Sequence, residues 1–155
     1  MCAHQYGAAP PIGDFKWTPA ASRAGYPAPE AFLCIASLAA AVDRHMGHLE
    51  SELLHFVTHR WWALGVVAEK DVTALHYAVT ARLGALPDEA LTAACAALPA
   101  PMRLAAFAKA LDIMMCDGVL QPAESAFAET LAAKLDLSEA DAERIRGVIA
   151  TLNAF

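Results

Sequence analysis

From Pro29 onward, apolar residues recur at three- and four-residue intervals, the period of one face of a helix. The run AFLCIASLAAAV, residues 31–42, is apolar nearly all round and predicts a first helix at the centre of a bundle, opened by Pro29 and Glu30 and ended by Asp43. A second helix is predicted from about His48 to Glu69, with Leu53, Leu54, Val57, Trp61, Leu64 and Ala68 as its stripe. A third runs from about Asp71 to Leu83, where Gly84 stops it. A short fourth starts at Pro87 and carries Leu91, Ala94, Cys95 and Leu98. The fifth runs from about Pro101 to Cys116, and the sixth starts near Pro122 with Phe127, Ala128, Leu131 and Leu135 as its stripe. Ser138 and Asp141 have capping-box spacing and open a seventh helix, with Ile145, Val148, Ile149 and Leu152 as its apolar face. The expected class is all-α, with about seven helices. Abundant alanine and sparse β-branched residues agree with it. Residues 1–29 are rich in proline and glycine and read as an extended arm, parts of it pinned by Phe15, Trp17 and Tyr26, with a disordered tail the equal alternative for residues 1–12. Residues 30–155 form one helical domain's length.

The helices repeat. A shift of 74 residues carries Asp43 to Asp117 and Glu50 to Glu124, and each glutamate is followed by serine. The same shift carries Leu53, Leu54, Val57 and Trp61 onto Phe127, Ala128, Leu131 and Leu135. Two pseudo-symmetric helix–acidic turn–helix halves follow, at about 30–70 and 101–155.

In each half, an aspartate ends one helix and a glutamate enters the next. Such hard oxygen ligands suit Mg²⁺, Ca²⁺ or Mn²⁺. The candidate metal ligands are therefore Asp117 and Glu124, with Asp43 and Glu50 as their first-half counterparts. The frame from Asp117 to Glu124 matches the second half of an EF-hand loop. The first half fails, because Ile113 and Met115 would occupy its first and third positions. Glu124 also falls in a first helical turn, where a carboxylate serves equally well as a cap for free N–H groups. Both roles stay open on sequence alone.

His48, Glu52, His55 and His59 share a second helix face, opposite the Leu53/Val57/Trp61 stripe. His55 and His59, four apart, can together bind Zn²⁺ or Ni²⁺ if a third ligand arrives from elsewhere. A solvated polar face is the plainer reading. Met114, Met115 and Cys116 read as core.

A formal charge of −6 argues against a nucleic-acid surface. The four cysteines, Cys2, Cys34, Cys95 and Cys116, have no CxxC spacing, and no signal-peptide pattern opens the chain. Reduced thiols in a cytoplasmic protein are expected. The longest apolar run is too short to insert directly into a membrane. No GxSxG, Walker or dinucleotide motif is present, so a non-enzymatic role is expected. An enzyme using a Cys/His pair is the third class to weigh, after metal binding and protein interaction.

The stretch DGVLQPAESAFAETLAAKLDLSEADAERIRGVI resembles the tellurite-resistance TerB family, and more broadly the TerB-like domain at the N-terminus of the DjlA co-chaperone. The shared pattern is carried by Cys116-Asp117-Gly118-Val119, by Glu124 and by Leu135-Asp136-Leu137-Ser138. It covers about Leu104 to Leu152, and more weakly Phe32 to Arg60. The resemblance implies a seven-helix bundle with internal pseudo-symmetry and a cytoplasmic, non-enzymatic role in tellurite or stress resistance. It also implies a divalent cation at Asp117, Glu124, Asp43 and Glu50, and work alongside membrane-associated TerC-type and TerD-type proteins. A homo-oligomer is compatible with it. The first turn departs from the pattern: Arg44 stands where glycine is usual, followed by His45 and His48. A first site is then no copy of the second: either the Arg44 cation repels a metal there, or the histidines shift the preference toward a softer one.

Overall fold

The structure is a computed structural model that describes residues 28–42, 52, 55–57, 59–60, 74–79 and 87–154. Along these residues helix occurs at seven places, counting 52, 55–57 and 59–60 as one, and strand at none. The all-α expectation therefore holds for every described residue. Five helices have both ends defined: α1 (Ala28–Ala40), α2 (Pro87–Ala97), α3 (Ala100–Met114), α4 (Pro122–Lys134) and α5 (Glu139–Leu152).

The proline and capping chemistry accounts for the boundaries. Pro101 and Pro122 sit in the first turns of α3 and α4, where a missing N–H costs nothing. Helix α4 stops in a Schellman arrangement, with the Asp136 N–H donating to the Ala133 carbonyl at 3.1 Å and the Leu137 N–H to the Ala132 carbonyl at 3.1 Å. Asp136 takes the left-handed position at φ 56°, where glycine is usual and Asp is among the better substitutes. Ser138 then caps α5: its Oγ accepts from the Asp141 N–H at 3.1 Å and donates to Asp141 Oδ2 at 2.8 Å. The expected Ser138–Asp141 pairing forms, with the hydroxyl donating to the carboxylate.

Helix α3 is the hub, packing on α1, α4 and α5. Helix α2 packs on α1 and also meets α4, so α1, α2, α4 and α3 close a circuit. Leu33, Ile35, Leu98, Phe107, Leu111, Ile113, Met114, Leu131 and Leu135 are fully buried at its centre. Each such side chain contributes about 1.5–3 kcal/mol on leaving water. Val57 and Val79, from two further helical stretches, join the same core. Helix α1 is buried nearly all round, as its sequence predicts. It ends three residues before Asp43, with the Ala41 N–H turning back to the Leu38 carbonyl at 3.1 Å. Met114 is core, while Met115 and Cys116 are half-buried as the chain leaves α3.

Helix α5 departs from its expected apolar face. Ala142 and Ile149 are buried and Ile145 is partly so, but Val148 and Leu152 are 55% and 64% exposed. The buried edge centres on positions 142 and 149, so Val148 lies about 100° round the helix from Ile149. Half-buried Arg146 and Asn153 lie nearer that edge instead.

Candidate functional site

The acidic turn joins α3 to α4. Met115 and Cys116 close the last turn of α3 by donating to Leu111 and Ile113, at 2.8 and 3.4 Å. The Gly118 N–H reaches the Met115 carbonyl at 2.9 Å, and Gly118 reverses the chain at φ +85°, a conformation that strains any side chain. Asp117 is exposed, and its Oδ1 accepts from the Val119 N–H at 3.0 Å. This is an Asx turn, in which the carboxylate stands in for a backbone acceptor. Glu124 is only 4% exposed, and its Oε2 accepts from the Gln121 N–H at 2.7 Å. It satisfies a donor that the helix start leaves over, next to the positive end of the helix dipole. Each acidic residue of this turn therefore has a backbone to hold.

The end of α5 backs the turn. A Cβ on Gly118 would lie 3.5 Å from the Asn153 carbonyl oxygen. Asn153 Nδ2 donates to Asp112 Oδ1 at 3.4 Å, and Asp112 Oδ2 pairs with Lys109 Nζ at 2.6 Å. This Lys109–Asp112–Asn153 chain joins positions that share no motif along the sequence. Only the Lys109–Asp112 spacing of three could have signalled it.

Asp43, Glu50 and His48 lie outside the described residues. Glu52, His55 and His59 are exposed and Val57 is buried, as the opposed faces of that helix require. The His55 and His59 rings meet edge to face, with centroids 4.1 Å apart. His76, from the stretch 74–79, comes near enough to feel His55. Its pKa is lowered, first by burial and then by the charge of that neighbour. Among the described residues, no three His, Cys, Asp or Glu side chains are already gathered to hold a metal.

Cys34 and Cys95 are buried thiols on the packed pair α1 and α2. Burial pushes the Cys95 thiol up to about 11, against a pull down from Lys134, a further push from Cys34 and a weaker pull from Arg103. A thiol so far above neutral pH holds little thiolate and is a poor nucleophile.

A groove of about 390 Å³ opens where the end of α1 meets α2 and α4. Leu38, Val42, Leu91, Ala126 and Phe127 make its apolar wall, and Asp88 supplies its charge. Phe127 belongs to the α4 stripe predicted from sequence. The groove itself is a product of how three helices splay and has no signature along the chain.

No helix among the described residues is long and apolar enough to cross a membrane. No protein-family model matches the chain, and no curated protein and no solved structure matches it.

Proposed function

We propose that this is a TerB-like cytoplasmic protein of the tellurite- or stress-resistance type, which works by docking to partner proteins and not by catalysis. The observation that carries the docking version is that the Asp117 and Glu124 carboxylates each accept from a backbone N–H of the turn. The apolar groove between α1, α2 and α4 supplies a surface for a partner. The family reading is supported by the motif positions themselves. Gly118 and Asp136 adopt the left-handed turns, and Glu124 and Ser138 the caps, that give those residue types a reason to be there.

The partners to test are TerD-type and TerC-type proteins, the latter in detergent. Ala126, exposed on the groove wall, is changed to Arg. Co-elution with either partner, lost in Ala126→Arg, supports the reading. Failure of both to co-elute, or co-elution indifferent to Ala126→Arg, overturns docking through this groove.

A second reading is a divalent cation at the turn. It is favoured by the exposure of Asp117, beside the left-handed Gly118. Calorimetry with Ca²⁺, Mg²⁺, Mn²⁺ and Zn²⁺ separates the two. Heat abolished by Asp117→Ala supports the cation, and its absence leaves docking alone.

A further inference from the structure

The groove between α1, α2 and α4 lies within reach of the chain's own first residues. Its apolar wall includes Leu38, Leu91 and half-buried Phe127, and Asp88 stands on its rim. At about 390 Å³ it falls at the low end of the range of about 300–1,000 Å³ for binding pockets. That size suits one or two large side chains and excludes a folded domain.

Residues 1–27 precede α1 and lie outside the described residues. They are tethered at Ala28 to the helix whose far end, at Leu38 and Val42, lines the groove. From Ala28 to Leu38 a helix rises about 15 Å. Tyr26, two residues before Ala28, reaches back only about 7 Å on an extended chain. Trp17, eleven residues before Ala28, reaches about 36 Å. Trp17 is therefore the aromatic nearest to the helix that spans the gap with chain to spare, and Phe15 stands two positions before it.

Charge points the same way. Lys16 and Arg23 outweigh Asp14 in residues 1–27, whereas the whole chain carries −6. A net-positive segment is drawn to the acidic remainder, and Asp88 puts part of that charge at the groove.

We propose that Phe15 and Trp17 seat in this groove, so that the chain covers its own docking surface until a partner displaces the segment. On an extended backbone residues two apart face the same way, so both rings enter together. Lys16 stays at the rim, where its attraction to Asp88 acts over a screening length of about 8 Å. Aromatic rings bury a large area for few torsions, and Phe127 offers them an aromatic neighbour. Pro10, Pro11 and Pro19 flank the pair, and proline leaves the backbone less freedom to lose on seating. The seating stands by itself; only its displacement by a partner rests on the docking reading.

The test uses the full chain with p-benzoylphenylalanine in place of Trp17, irradiated at low micromolar concentration. Cross-links within one chain are expected, mapped by mass spectrometry to residues 38–42, 88–91 and 123–130. Ala126→Arg should lower their yield at least about fivefold, because it sets a charge against the buried rings. Thr130→Arg, exposed on the same wall, should act likewise. Circular dichroism confirms that the helices of each variant persist. Asp88→Asn should lower the yield about twofold at low salt and leave it unchanged at high salt. Links that map elsewhere, or a yield indifferent to both wall variants, overturn the seating. Links joining two chains overturn it too, and name a second copy as the occupant.

Co-elution with TerD- or TerC-type proteins separates this proposal from the docking reading. Intrachain links without co-elution support the seating and overturn the docking; co-elution without such links does the reverse. Where both occur, Trp17→Ser should raise the retained partner severalfold, since the groove no longer has to be vacated. An amount unchanged in Trp17→Ser overturns the displacement.

Discussion

Arg103 and Leu135 are 32 positions apart, yet the Arg103 Nη1 donates to the Leu135 carbonyl at 3.4 Å. Its Nε reaches the Leu98 carbonyl at 3.5 Å. One guanidinium at the start of α3 thereby serves carbonyls at the ends of both α2 and α4, where backbone acceptors are left over. Arg103→Ala should cost about 1–2 kcal/mol, measured as a lower urea midpoint. Arg103→Lys should recover less than half, because an ammonium cannot present a two-sided planar fork. Removing Asp136, the other partner of Arg103 at 3.6 Å, should cost little, since that carboxylate is 93% exposed.

The acidic turn should be sensitive at two positions, for different reasons. Gly118→Ala meets no clash, since 3.5 Å to the Asn153 oxygen is ordinary contact. It must still hold φ +85°, which strains an L-residue. A net loss of about 1 kcal/mol is expected, after the gain from a stiffer unfolded chain. Glu124→Ala removes a buried charge-assisted acceptor and should cost about 1–3 kcal/mol. Glu124→Gln keeps an acceptor oxygen and should cost about half as much, by the same arithmetic. Equal loss from Gln and Ala would mean that the hydrogen bond to Gln121 is not what the carboxylate contributes.

Asp136 offers the opposite experiment. It sits at φ 56° with an almost fully exposed side chain. Asp136→Gly should stabilise the fold by about 0.5 kcal/mol: relief of the left-handed strain outweighs the added freedom of the unfolded chain. A midpoint below that of the parent would show that its pairing with Arg103 outweighs both.

His76 predicts a pH dependence. Its folded-state pKa lies below the ordinary histidine value of 6.5, so between the two values the unfolded chain holds more protons. The His76 contribution to stability is therefore fully present above pH 6.5. It falls as the pH drops through the folded-state value and then levels off. Urea midpoints at about pH 7.5 and about pH 5.5 should differ less in His76→Gln than in the parent.

Cys95 should resist alkylation. With its thiol pushed up to about 11, native protein near pH 8 should leave it unmodified by iodoacetamide while half-buried Cys116 reacts. In guanidinium both should react. Rapid native labelling of Cys95 would return a Cys-based chemistry to consideration.

Helices were legible where burial and period coincide. Helix α1, buried nearly all round, and the stripes of α2 and α4 needed only apolar spacing, and Pro101, Pro122 and Ser138 marked the starts. The face of α5 differs from its apolar spacing because packing against α3 covers a narrow edge, while spacing counts every apolar residue alike. At the turn, the residue types at Asp117 and Glu124 fitted a cap and a ligand equally, and only the contacts to Val119 and Gln121 express the cap. Arg103, Asn153 and the approach of His76 to His55 are products of tertiary structure, joining positions with no common period.

The Asn153 carbonyl faces Gly118, and its amide holds Asp112 one helical turn before Cys116. Affinity tags, fluorescent fusions or truncations placed just after Asn153 will therefore report on themselves as well as on the loop they were meant to leave alone. Engineering of this chain is better begun elsewhere, with the final turn of α5 kept as the clasp for that corner.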